Sequence, residues 1–149
     1  MKTFSTGART TAGSTTLPVI SLYSGAAAGG NITEITVFNT TATPVALKLV
    51  ELSSTGTQGA GLAEIDWGYG SGVTANCTAF NTHTVAPTVA ADLGMNITLQ
   101  GVIGDRWTWK FPGKGLSTGG PGVTKGIGVI VATGTGQALD AHIVWQEQD

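Results

Sequence analysis

The chain has 149 residues, a formal net charge of −2 and only 11% charged side chains, alongside 41% hydrophobic residues, 23 glycines and 24 threonines. Such a length suits one domain with one core; the apolar content excludes a disordered chain, and the weak negative charge gives phosphate backbones or anionic lipid little to bind. Charged residues at less than half of the roughly 25% usual in soluble domains point to a surface covered by other subunits.

Residues 1–16 are nearly all Thr, Ser, Gly, Ala and Lys/Arg, with Phe4 the one large apolar side chain. A segment of this kind cannot bury itself and reads as an extended N-terminal arm laid across a neighbouring subunit. It has no apolar h-region, so it does not read as a secretory signal. The domain proper is expected over residues 17–149, where short apolar segments alternate with Gly, Pro, Asn and Thr clusters every eight to twelve residues or so, the rhythm of sandwiches and barrels.

Pro18 to Ser24 reads as a strand that stops at Gly25-Ala26-Ala27-Ala28-Gly29-Gly30, too short an alanine run to nucleate a helix. Asn31 to Asn39, rich in Ile, Thr, Val and Phe, reads as the next. The following run sets Val45, Leu47 and Leu49 on one face and Lys48 on the other. The turn Thr40-Thr41-Ala42-Thr43-Pro44 between them predicts a hairpin. Ser53 to Gly61 is a polar loop, Leu62 to Trp67 fits a helical turn or a short strand equally, and Gly68 to Gly72 is irregular because glycine is costly to order. Val73 to His83 and Asn96 to Val102 read as strands, with Pro87 to Gly94 between them the best helix candidate.

Arg106 to Phe111 carries the strongest period-two signal: Trp107, Trp109 and Phe111 on one face, Arg106, Thr108 and Lys110 on the other. That apolar face is expected in the core. Gly126 to Thr133 and Leu139 to Gln146 close the chain, the latter with Leu139, Ala141, Ile143 and Trp145 inward and Asp140 and His142 outward. The sum is an all-β protein, an antiparallel two-sheet β-sandwich or jelly roll of about 8–10 strands.

Catalytic chemistry finds little footing. Gly115-Leu116-Ser117-Thr118-Gly119 matches G-x-S-x-G, with Asp140 and His142 following in the order used by α/β-hydrolases, but a nucleophile elbow needs a strand before it and a helix after it. Here Pro112, Gly113, Gly120, Pro121 and Gly122 make the surroundings a loop. His83 and His142 with Asp66 or Asp140 lack metal-ligand spacing and read as polar-face or edge residues; Gly113-Lys114-Gly115 lacks the phosphate-loop spacing. Cys77 is the single cysteine, which fits a reducing compartment and a small, half-buried apolar role. No catalytic, cofactor-binding or metal-binding residue is expected, and no cofactor. Trp67 and Tyr69, in a glycine-rich loop, read either as a platform for a sugar or a partner, or as a plug over one open end of the sandwich.

The wording of several segments is specific. Glu34-Ile35-Thr36-Val37-Phe38-Asn39-Thr40-Thr41, Thr55-Gly56-Thr57-Gln58-Gly59-Ala60-Gly61-Leu62, Ala79-Phe80-Asn81-Thr82-His83-Thr84-Val85-Ala86-Pro87, and Gly126-Ile127-Gly128 through Ile143-Val144-Trp145 resemble small β-sandwich virion proteins of tailed bacteriophages, in particular capsid decoration, or cement, proteins. The resemblance spans roughly residues 17 to 147 and brings no functional residue with it. It implies a virion protein, assembled in the bacterial host cytoplasm, that binds the outside of the head and stabilises it. The expected partners are the major capsid protein or other virion proteins, and further copies of itself, a trimer above all; nucleic acid and membrane are not expected partners. A tail, neck or baseplate component is the alternative within the virion, and a carbohydrate- or receptor-binding sandwich module is an alternative of another class.

Overall fold

The computed structural model describes residues 1–148. They form twelve strands: β1 (Lys2–Arg9), β2 (Ile20–Tyr23), β3 (Asn31–Asn39), β4 (Val45–Leu52), β5 (Ile65–Asp66), β6 (Thr78–Phe80), β7 (Val89–Asp92), β8 (Ile97–Leu99), β9 (Arg106–Lys110), β10 (Leu116–Ser117), β11 (Gly126–Thr133) and β12 (Leu139–Glu147). There is no helix among the described residues. The strands build two six-stranded antiparallel sheets packed as a sandwich. The front sheet runs β10-β3-β12-β1-β5, with β9 sharing the β10 edge of β3; the back sheet runs β6-β2-β11-β4-β7, with β8 sharing the β7 edge of β4. The expected all-β sandwich is present, with more strands than the 8–10 expected because β5 and β10 are only two residues long.

Side-chain alternation puts one row of each strand between the sheets. Ile35 and Val37 of β3, Leu139, Ala141, Ile143 and Trp145 of β12, Val45, Leu47 and Leu49 of β4, and Val129 and Val131 of β11 form one buried cluster. The opposite face of the back sheet carries a smaller one, with Tyr23, Val50, Leu52 and Ile130 packed beneath Phe80. β11 is thus covered on both faces, which explains why its first six residues are all buried and why its sequence is nearly all apolar or glycine.

Four expectations are corrected by the fold. Residues 1–16 are not an arm: Lys2 to Arg9 pair in unbroken register with Glu147 to Asp140 of β12, and Phe4, 1% exposed, stacks on Trp145 at 5.8 Å between ring centroids. Polar composition misled here because Thr3, Ser5, Gly7 and Arg9 occupy the outward row, so one large apolar side chain suffices for the inward one. The Thr40–Pro44 turn makes no hairpin, because β3 and β4 lie in different sheets. Asn39 turns the chain across the gap, its Nδ2 donating to the carbonyls of Thr43 and Gln100, both at 2.8 Å. The helix candidate at Pro87–Gly94 is strand β7, held by β4. Lastly, Trp109 is core at 6% exposure, but Trp107, on the same row of β9, emerges at the end of the sandwich and is 47% exposed.

The C-terminal end of β12 is fastened by a buried carboxylate. Glu147 accepts from the backbone N–H of Asn76 at 2.7 Å, that of Cys77 at 2.8 Å and the Trp145 indole N–H at 2.8 Å. Gly30 makes room for this packing, since a Cβ there would stand 2.9 Å from both Cys77 Sγ and Trp145 Cδ1.

Two outcomes follow for stability. Phe4→Ala should cost about 3–5 kcal/mol, and deleting residues 1–9 should abolish cooperative thermal unfolding followed by circular dichroism; an unchanged melting curve for the truncated protein would return this segment to the status of an arm. Glu147→Gln keeps one acceptor oxygen but sets an amide NH2 against an N–H that donated to the other carboxylate oxygen, so it should cost at least about 1.5 kcal/mol in urea unfolding, at the low end for a hydrogen bond to a charged group.

Candidate functional site

The outward face of the front sheet is a set of cross-strand rows fixed by register. Arg106, Phe38, Asp140 and Arg9 form one row across β9, β3, β12 and β1; Thr108, Thr36, His142 and Gly7 form the next; Lys110, Glu34, Val144 and Ser5 form the third. The first row is closed on itself: Arg9 holds Asp140 with Nε to Oδ1 at 2.7 Å and a second hydrogen bond at 2.8 Å. These hydrogen bonds keep the Asp140 carboxyl below its ordinary range. In the second row Thr36 and Thr108 join hydroxyls at 2.9 Å, and His142 lies tilted against Phe38 at 5.7 Å.

The third row opens into a groove of about 650 Å³. Trp67, which follows β5, walls one end and Phe111 and Pro112 the other, while Glu34, Lys110 and Gln146 line it between them. The register breaks where β3 passes β12 between Val144 and Trp145, leaving Thr33 as an extra residue that bonds the Val144 carbonyl at 3.2 Å. Such a bulge bends its strand and redirects side chains locally.

Trp67 is 60% exposed, yet its position is set. Its backbone N–H donates to Thr3 at 3.0 Å and its indole N–H to Ser5 Oγ at 2.9 Å. The loop after it turns on Asp66, which accepts from the Gly68 N–H at 2.8 Å and from the Ser71 hydroxyl. Those two bonds, the Ser71 one first, hold the Asp66 carboxyl below its usual range. Gly70 and Gly72 take left-handed backbone conformations at φ 76° and 67°, as this tight loop requires. Tyr69 at its tip is fully exposed. Neither aromatic plugs the sandwich; one walls a groove and the other stands in solvent.

The remaining candidates from the sequence are dispersed. Ser117 pairs with Asn31 and His142 with Thr36, five residues apart along β3, or roughly 17 Å at the rise of a strand. Ser117, Asp140 and His142 are therefore not brought together. The buried hydroxyl of that stretch is Thr118, which joins Ser24 Oγ at 2.7 Å and accepts from the Gly30 N–H at 2.9 Å. No group of three or more His, Cys, Asp or Glu side chains placed to hold a metal occurs among the described residues. Cys77 is wholly buried rather than half-buried, and burial, with the nearby Glu147 charge, pushes its thiol up to about 12.

His83 is the residue that sequence reasoning misplaced. Expected on a polar face or edge, it is 1% exposed beneath the loops that cover the back sheet. Its Nε2 meets Ser21 Oγ at 2.9 Å and its ring stacks on Tyr23 at 6.0 Å. The pair has the separation of a nucleophile and its base, but Ser21 is fully buried as well, so no substrate reaches it. Nδ1 has no hydrogen bond of ordinary geometry.

No known family, curated protein or solved structure matches this chain.

Desolvation lowers the proton affinity of His83 below the ordinary 6.5, outweighing the nearby Thr55 backbone that favours the charged form. The unfolded chain then binds the proton more readily than the folded one, so stability is fully present above about pH 6.5 and declines as pH falls below it. Urea unfolding at pH 7 and pH 5 should show that loss in the wild type and a smaller one in His83→Gln. Equal losses would remove His83 as its source.

Proposed function

We propose that this chain is a structural subunit of a tailed-bacteriophage virion, a capsid decoration protein that binds the outside of the head as a homo-oligomer and stabilises the shell. The observation that carries this reading is an apolar surface on a charge-poor molecule. Ile65 and Tyr69 lie exposed where β5 ends the front sheet, and Val102, Ile103 and Trp107 lie exposed around the turn that enters β9, with Ile103 at 72%. Only 11% of residues are charged, so little surrounds these groups to keep separate copies apart. Contacts with a shell and with sister subunits would cover them.

The segments that resemble decoration proteins support the same reading by where they lie. Glu34–Thr41 is most of β3 and its exit, and the stretch from Gly126 through Trp145 takes in all of β11 and most of β12. Thr55–Leu62 and Ala79–Pro87 run beside each other over the back sheet, joined through Thr57 and Val85 and through Gly61 and Phe80. The resemblance thus falls on the frame of the sandwich and its covering loops, the parts that a shared architecture would keep.

Purified particles separated into heads and tails should contain this protein in the head fraction, in many copies, and the recombinant protein should rebind stripped heads saturably and raise their melting temperature. Ile103→Lys should weaken that rebinding without unfolding the subunit, because the side chain is exposed. Recovery in the tail fraction, or failure to bind heads, would overturn the assignment.

A further inference from the structure

We propose that the groove on the outward face of the front sheet is a binding site for a neutral oligosaccharide, with the face of Trp67 as its stacking platform. This holds wherever in a particle the chain resides. The first observation is the state of the indole. It is largely exposed, but its ring N–H is already committed to Ser5 and its backbone N–H to Thr3. An incoming group can therefore use its π face and not its donor. A rigid exposed aromatic face, ordered before binding, suits a ligand whose own apolar patches are flat and rimmed by hydroxyls, as a pyranose ring is.

The second observation is the polar lining. Glu34 offers acceptors, Lys110 donors, and Gln146 both, along one groove. Glu34 and Lys110 face each other across β3 and β9 and cancel in charge. A phosphate or sulfate ester would meet Glu34, and a cation would meet Lys110; a neutral polyhydroxylated ligand satisfies both. The same balance, with a net charge of −2 on the chain, disfavours a nucleotide, which could stack equally well on tryptophan.

Scale agrees. The groove, about 650 Å³, falls within the roughly 300–1,000 Å³ of small-molecule sites. It crosses β9, β3, β12 and β1, three inter-strand steps or about 14 Å, before reaching Trp67, enough for a short run of sugar rings. Phe111 and Pro112 at the far end supply a second apolar surface. Ser5 is a positioning residue, since it fixes the indole that the ligand touches.

The experiment is titration calorimetry and saturation-transfer NMR of the full chain against neutral gluco-, galacto- and manno-configured oligosaccharides, with a proline-rich peptide and the protein's own self-association as competitors. At least one saccharide should bind with a dissociation constant of about 1 mM or tighter. Trp67→Ala should weaken it at least about tenfold with the melting temperature unchanged, Trp67→Tyr should restore most of the loss, and Ser5→Ala should weaken it less than Trp67→Ala. Glu34→Gln and Lys110→Met should each reduce affinity, while Tyr69→Ala, outside the groove, should not. No binding across the panel, binding indifferent to Trp67→Ala, or a groove occupied by the peptide or by a second copy in its place would each overturn the proposal. None of these results depends on head or tail location, so the site and the virion assignment fail separately.

Discussion

The whole sandwich depends on β12 being paired along both edges, by β3 on one side and by β1 on the other. This strand places Leu139, Ala141, Ile143 and Trp145 in the core, and its partner β1 comes from the opposite end of the chain. The zipper of first and last strands closes on the stack of Phe4 with Trp145 and on the Glu147 carboxylate. A buried carboxylate is costly unless hydrogen-bonded, and here three N–H donors meet it, two of them from the Asn76–Cys77 backbone. The same group that tolerates burial thereby pins a loop connecting the two sheets.

No two consecutive strands among those described hydrogen-bond to each other; every ladder joins strands distant in the chain. Most connections carry the chain from one sheet to the other, and those that stay within a sheet, from β6 to β7, β7 to β8 and β9 to β10, join strands that do not pair. Non-local pairing of this kind makes folding slow, because loop closure precedes any reward from contact. It also explains which parts of the fold could be read from the sequence. Period-two patterns in Val45–Leu49, Arg106–Lys110 and Leu139–Trp145 depend on the strand alone, and they place the inward rows correctly. Pairing depends on the partner, so the local turn at Thr40–Pro44 suggested a hairpin that does not form. Residues 1–16 looked unable to order for the same reason: the apolar surface that orders Phe4 lies some 140 residues away, at Trp145.

The groove was only partly legible. Trp67 stood out as an aromatic in a glycine-rich loop, and Lys110 and Glu34 sat on the polar rows of their strands. Nothing in the spacing of Ser5, Glu34, Trp67, Lys110 and Gln146 marks them as neighbours, because register across β1, β3, β9 and β12 assembles them. The Thr33 bulge has no local signal either. His83 was misjudged through a different gap. A histidine flanked by Thr82 and Thr84 looks solvated, and only the loops folding over Tyr23 and Ile130 bury it.

Those loops make the two outward faces of the sandwich unequal. On the back sheet, a second apolar cluster and the bridged Thr57 and Val85 segments roof over Ser21, Tyr23 and His83. On the front sheet the outward rows stay partly exposed, with Arg9 joined to Asp140 in the first row and Thr36 to Thr108 in the second, while Glu34 and Lys110 of the third line an open groove. The roofed part of the back sheet contributes stability, whereas polar side chains that line an open groove keep donors and acceptors within reach of a ligand. The exposed apolar residues of β5 and of the turn before β9 stand at the two margins of that open face, one beside β1 and the other beyond β3. Neighbouring subunits could thus cover the margins while the groove between them stays open. Under the two proposals, assembly and ligand binding would use different parts of one sheet, and neither would require the other to give way.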